Sequence, residues 1–85
     1  MSCVYVLWSD RAEKFYVGSS HEDVPTSRLH AHNTGKTRST NFGRSWKVVF
    51  YEHFRDYSEA RKRELFLKSG QGRKFITEMR NVSVK

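Results

Sequence analysis

The chain has 85 residues, enough for one small domain with a modest core, since a chain of this size buries only roughly 60–65% of its unfolded surface. No apolar run approaches the roughly 20 residues of a membrane span, no basic segment leading into a hydrophobic stretch marks a cleaved signal, and the single cysteine, Cys3, excludes an internal disulfide, a zinc ribbon or a RING. Sixteen Lys and Arg against nine Asp and Glu leave a formal charge of +7, a field that attracts polyanions at long range, so a nucleic-acid partner, no membrane and a reducing cytoplasm are expected.

The segment CVYVLWS (3–9) is apolar and rich in strand formers, which puts Val4, Val6 and Trp8 on one face and Cys3, Tyr5 and Leu7 on the other. DRAEK (10–14) is a short polar turn, and FYVGS (15–19) is the returning strand of a β-hairpin. Tyr5 and Tyr16 stand at similar distances from the turn, so they are expected side by side on one face. Gly18 breaks the strand pattern. A glycine inside a strand weakens it unless something must approach the backbone closely, and a phosphate group beside Tyr16 is the expected occupant.

HEDVPTSRLHAHNTG reads as loop, helix and stop, with Asp23 as cap, Pro25 in the first turn and Gly35 as the C-terminal stop. Arg28 and His32, four apart, share a face of that helix. KTRSTNFGRS (36–45) is a basic polar loop carrying Arg38 and Arg44. WKVVFYEHF (46–54) is a third strand with Trp46, Val48 and Phe50 on one face. A second helix opens at DYSEARKRELFLKS, where Asp56 and Glu59 resemble a capping box. GQG (70–72) interrupts it, and RKFITEM (73–79) is a short closing helix with Phe75 and Met79 aligned. Trp8, Trp46, Phe50 and Phe54 read as core, and Cys3 as a small core residue. The order β-β-α-β-α-α predicts a single α+β domain over 1–85, a small three-stranded antiparallel sheet flanked by helices.

One residue of the second helix is out of place. At about 100° per residue, Tyr57, Ala60 and Leu67 fall within an arc of roughly 80°. Glu64 lies inside that arc, where a leucine is expected. A buried carboxylate needs a cation. Either an arginine or lysine supplies it as a salt bridge, or a divalent metal does, held by one carboxylate with waters and a substrate phosphate.

Together these residues resemble the GIY-YIG nuclease family. Its two short motifs, on the first two strands about ten residues apart, read VYV (4–6) and YVG (16–18) here. The first keeps only its tyrosine, with Val4 and Val6 in place of glycine and isoleucine. The family's arginine, with a histidine four later, is supplied by RLHAH as Arg28 and His32. Its glutamate on the next helix is supplied by EARKRELFLK as Glu64, with Lys68 one turn on. The resemblance runs from about residue 3 to 78, and it is closest to small stand-alone members similar to the nuclease domain of the bacterial excision-repair subunit UvrC. A late asparagine near the metal site is common in the family; Asn81 is the only late candidate, and its position fits poorly.

The resemblance implies an endonuclease that hydrolyses phosphodiesters, DNA more than RNA, with one Mg²⁺ or Mn²⁺. Glu64 would hold the metal, Arg28 the scissile phosphate, and Tyr16 the attacking water, with Tyr5 positioning and His32 relaying a proton or contacting the phosphate. Gly18, Lys68, Arg38 and Arg44 would contact substrate. Arg61, Arg63, Arg73 and Lys74 are expected as non-specific phosphate contacts or plain solvation. Other readings stand beside this one. Tyr5 and Tyr16 are also ordinary cross-strand partners, and Arg28 and His32 an ordinary solvated helix face. The whole chain is also compatible with a binding module without turnover, or with a nuclease half that needs a protein partner for targeting.

Overall fold

The computed structural model describes residues 1–11, 13–34 and 45–84, with side chains as far as residue 78. The elements are β1 (Ser2–Ser9), β2 (Lys14–Ser20), α1 (Thr26–Asn33), β3 (Trp46–Phe54), α2 (Tyr57–Leu67) and α3 (Gly70–Val84). The three strands form one antiparallel sheet in the order β2-β1-β3. This is the expected α+β arrangement in the expected order. Every residue of β1 is buried, because the central strand is covered on both faces.

The alternation read from β1 sorts two cores onto opposite faces of the sheet. Val4, Val6 and Val17 pack with Leu67 of α2 and Ile76 of α3. Cys3, Tyr5, Leu7 and Trp46 pack with Leu29 of α1. The sheet is therefore sandwiched, with α1 on one side and the α2–α3 pair on the other. Val4 and Val6, which replace the glycine and isoleucine of the first motif, are fully buried under α2 and α3. Cys3 is buried as expected, and burial pushes its thiol up from the ordinary range.

Several local expectations are corrected. Phe50 does not share a face with Trp46 and Val48. A register shift opposite Val6 and Leu7 pairs Val6 with Phe50 but Leu7 with Val48. Val49 is the extra residue of a bulge, and one extra residue inverts the alternation beyond it. Phe50 and Phe54 thus join the Val4–Val6 core, while Trp46 and Val48 stay with Tyr5. Asp23 does not cap α1. Pro25 occupies the N-cap position with no side-chain cap bond, and Asp23 pairs with His53 at 3.6 Å. Asp56 does occupy the N-cap of α2, again with no side-chain bond, so the capping box is one of position only.

The break near GQG lies earlier than expected. Ser69 is the cap of α3: its hydroxyl accepts the Gly72 N–H at 3.3 Å, and its carbonyl accepts the Arg73 N–H at 2.9 Å. α3 therefore starts at Gly70, ahead of the expected 73, and runs on to Val84. Gly72 is required by packing, since a side chain there would run into the Phe66 carbonyl and the Leu67 backbone. Ile76, at 3% exposure, fills the core in place of Phe75, which sits edge-on to Phe50 with about a third of its surface open. Gly35, Arg38, Arg44 and the side chains of Met79 and Asn81 lie outside what the structure describes.

Candidate active site

The hairpin and α1 bring four of the expected residues together on one face of the sheet. Tyr5 is paired across the ladder with Gly18, while Tyr16 is paired with Leu7. The two tyrosines thus lie side by side on one face, as expected, as diagonal neighbours with ring centroids 6.4 Å apart. A Cβ on Gly18 would lie 2.6 Å from the Tyr5 hydroxyl and 2.9 Å from the Tyr16 ring. The room above Gly18 is filled by the Tyr5 phenol, so the glycine lets that ring lie flat across the neighbouring strand.

Tyr5 is fully buried. Its hydroxyl stands 3.2 Å from His32 Nε2 and accepts from Arg28 Nε at 3.5 Å. Arg28 can only donate, while a neutral His32 either accepts the phenolic proton at Nε2 or donates an N–H to the phenolic oxygen, according to its tautomer. Burial, reinforced by the Arg28 charge, lowers the His32 pKa from 6.5 to about 4. Burial likewise raises the Tyr5 pKa, with the Arg28 bond working in the opposite direction. Tyr5 is therefore a neutral phenol locked between two partners. Tyr16 is only half-buried and packs its ring on His32 at 4.7 Å.

Glu64 lies on the other side of the sheet. α2 projects it with Ala60 and Leu67 toward the Val4–Val17 core, and it is 4% exposed. Its carboxylate is fully engaged. Lys68, one turn on, donates to Oε2 at 2.6 Å, Arg61 donates to Oε1 at 2.7 Å, and Ser19 to Oε1 at 2.5 Å. The salt-bridge alternative is thus what this structure displays. Burial works against the Glu64 charge, but the bonds from Lys68, Ser19 and Arg61 outweigh it and hold the carboxyl below its ordinary range. Ser19 also lies 3.1 Å from the Tyr57 hydroxyl. A serine hydroxyl has one proton and a carboxylate can only accept, so Ser19 donates to Glu64 and accepts from Tyr57.

The two sides meet along the free edge of β2. A cavity of about 580 Å³ is lined there by Tyr16, Lys14, Lys68 and Arg73. A smaller one of about 330 Å³ is lined by Ser19, Ser20, His21, Glu22, Arg28 and Tyr57. Lys68 lines the first and Ser19 the second, and both bond Glu64. Along this edge Tyr16 of β2 lines the larger cavity and Arg28 of α1 the smaller, while Glu64 of α2 is joined to the two through Lys68 and Ser19. Of the remaining cations, Arg63 bonds Glu52 at 2.8 Å and lies over the Phe66 and Phe75 rings, away from this edge, and Lys74 is exposed.

The family model of the GIY-YIG catalytic domain matches residues 1–76. The chain belongs to the GIY-YIG nuclease family. It is a GIY-YIG-type endonuclease, a phosphodiester hydrolase with a nucleic-acid substrate. No curated protein and no solved structure matches it. No helix among the described residues is long and apolar enough to cross a membrane.

GIY-YIG nucleases generally depend on a divalent metal. Among the described residues no group of three or more His, Cys, Asp or Glu side chains stands ready to hold one. The donors here are the Glu64 carboxylate and the hydroxyls of Ser19 and Tyr57. All are hard oxygens, which suits Mg²⁺ or Mn²⁺ held mainly through water and substrate. Arg61 and Lys68 are anchored beside Glu64 with about half of each side chain exposed, so both can turn outward. Sequence reasoning missed Ser19 as a partner of Glu64, the second cavity and the His21 ring within it. A serine on an edge strand and a histidine in the loop after it carry no periodic signal; only the packing of α2 against them places both.

Proposed function

We propose that this nuclease cleaves DNA with one Mg²⁺ or Mn²⁺, on single-stranded or branched substrates such as those met in repair, in the cytoplasm and with a protein partner for targeting as an option. The reading is supported by Glu64, whose partner Lys68 lines the cavity that holds Tyr16 and whose partner Ser19 lines the cavity that holds Arg28. Glu64 would hold the metal, which when bound supplies charge stabilisation at the leaving oxygen. Arg28 would turn its planar fork to the scissile phosphate. Tyr16, half open to the larger cavity, would orient the attacking water. Tyr5, fully buried, would position Arg28, and His32 would hold Tyr5 in place. Lys68 would leave Glu64 for a substrate phosphate, and Gly18 would keep the phenols seated. Arg38 and Arg44 would add phosphate contacts.

The test is a cleavage panel of linear duplex, single-stranded, flap and junction DNA, with RNA counterparts, in Mg²⁺ and in Mn²⁺. Tyr16→Phe should lose most of the cleavage while Tyr5→Phe loses less and binds Arg28 less firmly. Equal activity in Tyr16→Phe and the parent would overturn the assignment of the water to Tyr16.

A second reading has one observation in its favour. Both Glu64 oxygens are already neutralised by Arg61 and Lys68, as in a binding module without turnover. Salt-sensitive DNA binding with no cleavage across the whole panel would establish it.

A further inference from the structure

We infer that the smaller cavity is a subsite for an unpaired nucleobase, which stacks on the paired rings of His21 and Tyr57; the inference rests on the nuclease reading above. These rings are 3.8 Å apart and 16° from parallel. The other aromatic pairs of the described residues are tilted or edge-on, between 34° and 85°, which is how side chains ordinarily fill space. The flat stack lies on the surface. His21 is exposed, in the segment between β2 and α1, and Tyr57 opens α2. Both line the same cavity as Arg28.

The platform is preorganised. The Tyr57 hydroxyl is tied through Ser19 to Glu64, which fixes the ring behind His21. A cavity of about 330 Å³ is at the small end of ligand-sized sites. It brings an aromatic plane, a guanidinium for phosphate, and the polar groups of Ser20 and Glu22 within reach of one nucleotide. Base stacking tolerates any sequence because every base has a π face. It does not tolerate a base already stacked inside a duplex, whose extrusion costs a few kcal/mol. The subsite therefore favours strands with an unpaired nucleotide beside the phosphate at Arg28. The tryptophans are no alternative platform, since Trp8 and Trp46 are buried.

The test uses the full chain in EDTA, so that cleavage does not intervene. The probes are a short single-stranded DNA with 2-aminopurine scanned along it, and matched oligonucleotides abasic at the scanned position. The parent should quench 2-aminopurine at one position and bind the abasic partner roughly 5- to 150-fold more weakly, the range for loss of one stacked base. His21→Ala should bind the base-bearing oligonucleotide as weakly as the abasic one and lose the quench. His21→Phe should restore both. Arg28→Ala should weaken both oligonucleotides alike. If His21→Ala retains the quench and the same ratio of affinities as the parent, there is no base at this site. A parent that quenches and discriminates but cleaves nothing in Mg²⁺ or Mn²⁺ keeps the subsite and overturns the nuclease reading instead.

Discussion

The two faces of the sheet solve opposite problems at the same edge strand. On the α1 face, Tyr5 and His32 are buried beside the half-buried Tyr16 and the charge of Arg28, and burial there lowers the His32 pKa to about 4. On the α2 face, Glu64 keeps its charge in an equally buried place because three donors surround it. Burial alone thus decides little. A titratable group is neutralised where its neighbours are rings and remains ionised where they are cations and hydroxyls. The first face keeps a phenol neutral, and the second keeps a carboxylate ionised among cations and hydroxyls.

The largest expected effect breaks the carboxylate side. Glu64→Ala should lower metal-dependent cleavage by about 10³-fold, as expected for losing several kcal/mol of charge stabilisation. Its cost in stability should be only about 1–2 kcal/mol in urea unfolding, because Arg61 and Lys68 are half exposed and re-solvate easily. Parental cleavage in a folded Glu64→Ala would reduce the carboxylate to a salt-bridge partner.

The phenol side should break through its glycine. Gly18→Ala places a methyl group against the Tyr5 hydroxyl and the Tyr16 ring, and the Tyr5 end is pinned by His32 and Arg28. A loss of about 1–3 kcal/mol is expected from overpacking, with cleavage falling alongside. A gain in stability would show that the phenol moves freely.

Acid should separate the faces. His32 has a folded pKa of about 4 against 6.5 unfolded, so the unfolded chain binds more protons between those values and stability rises with pH across the window. Between pH 7 and pH 5 the loss should be about 2 kcal/mol, and His32→Asn should flatten it. Glu64 has its pKa lowered, so its contribution is present above pH 4.5 and is lost only as pH falls below that. An acid transition in His32→Asn identical to the parent's would remove the imidazole from this account. The smallest effect belongs to Ser19→Ala. It removes one of three donors to Glu64, costs about 1 kcal/mol, and should raise the pH at which the carboxylate titrates, measurable by carboxyl NMR.

Much of this was legible in the residues because it is local. Alternation in CVYVLWS assigns each side chain of β1 to a face without further information, since the period of a strand is two. The helical step in α2 puts Glu64 among Ala60 and Leu67, and puts Lys68 one turn away, since the period of a helix is 3.6. Those same periods, with the tyrosines, Arg28 and His32 in order, made the family recognisable. The elements and the identity of the enzyme follow from short-range rules.

Three things were decided only by the tertiary structure. The Val49 bulge turned Phe50 to the opposite face, because an extra residue is visible only when a partner strand exists to count against. The ladder register set Tyr5 across from Gly18 instead of Tyr16, so a ring and not a substrate fills the space over the glycine. The packing of α2 on β2 joined Ser19 to Glu64 and Tyr57, 45 and 38 positions away, and set His21, on a loop with no pattern of its own, against Tyr57. Periodicity reports which way a side chain points, and only the meeting of separate elements determines what it points at.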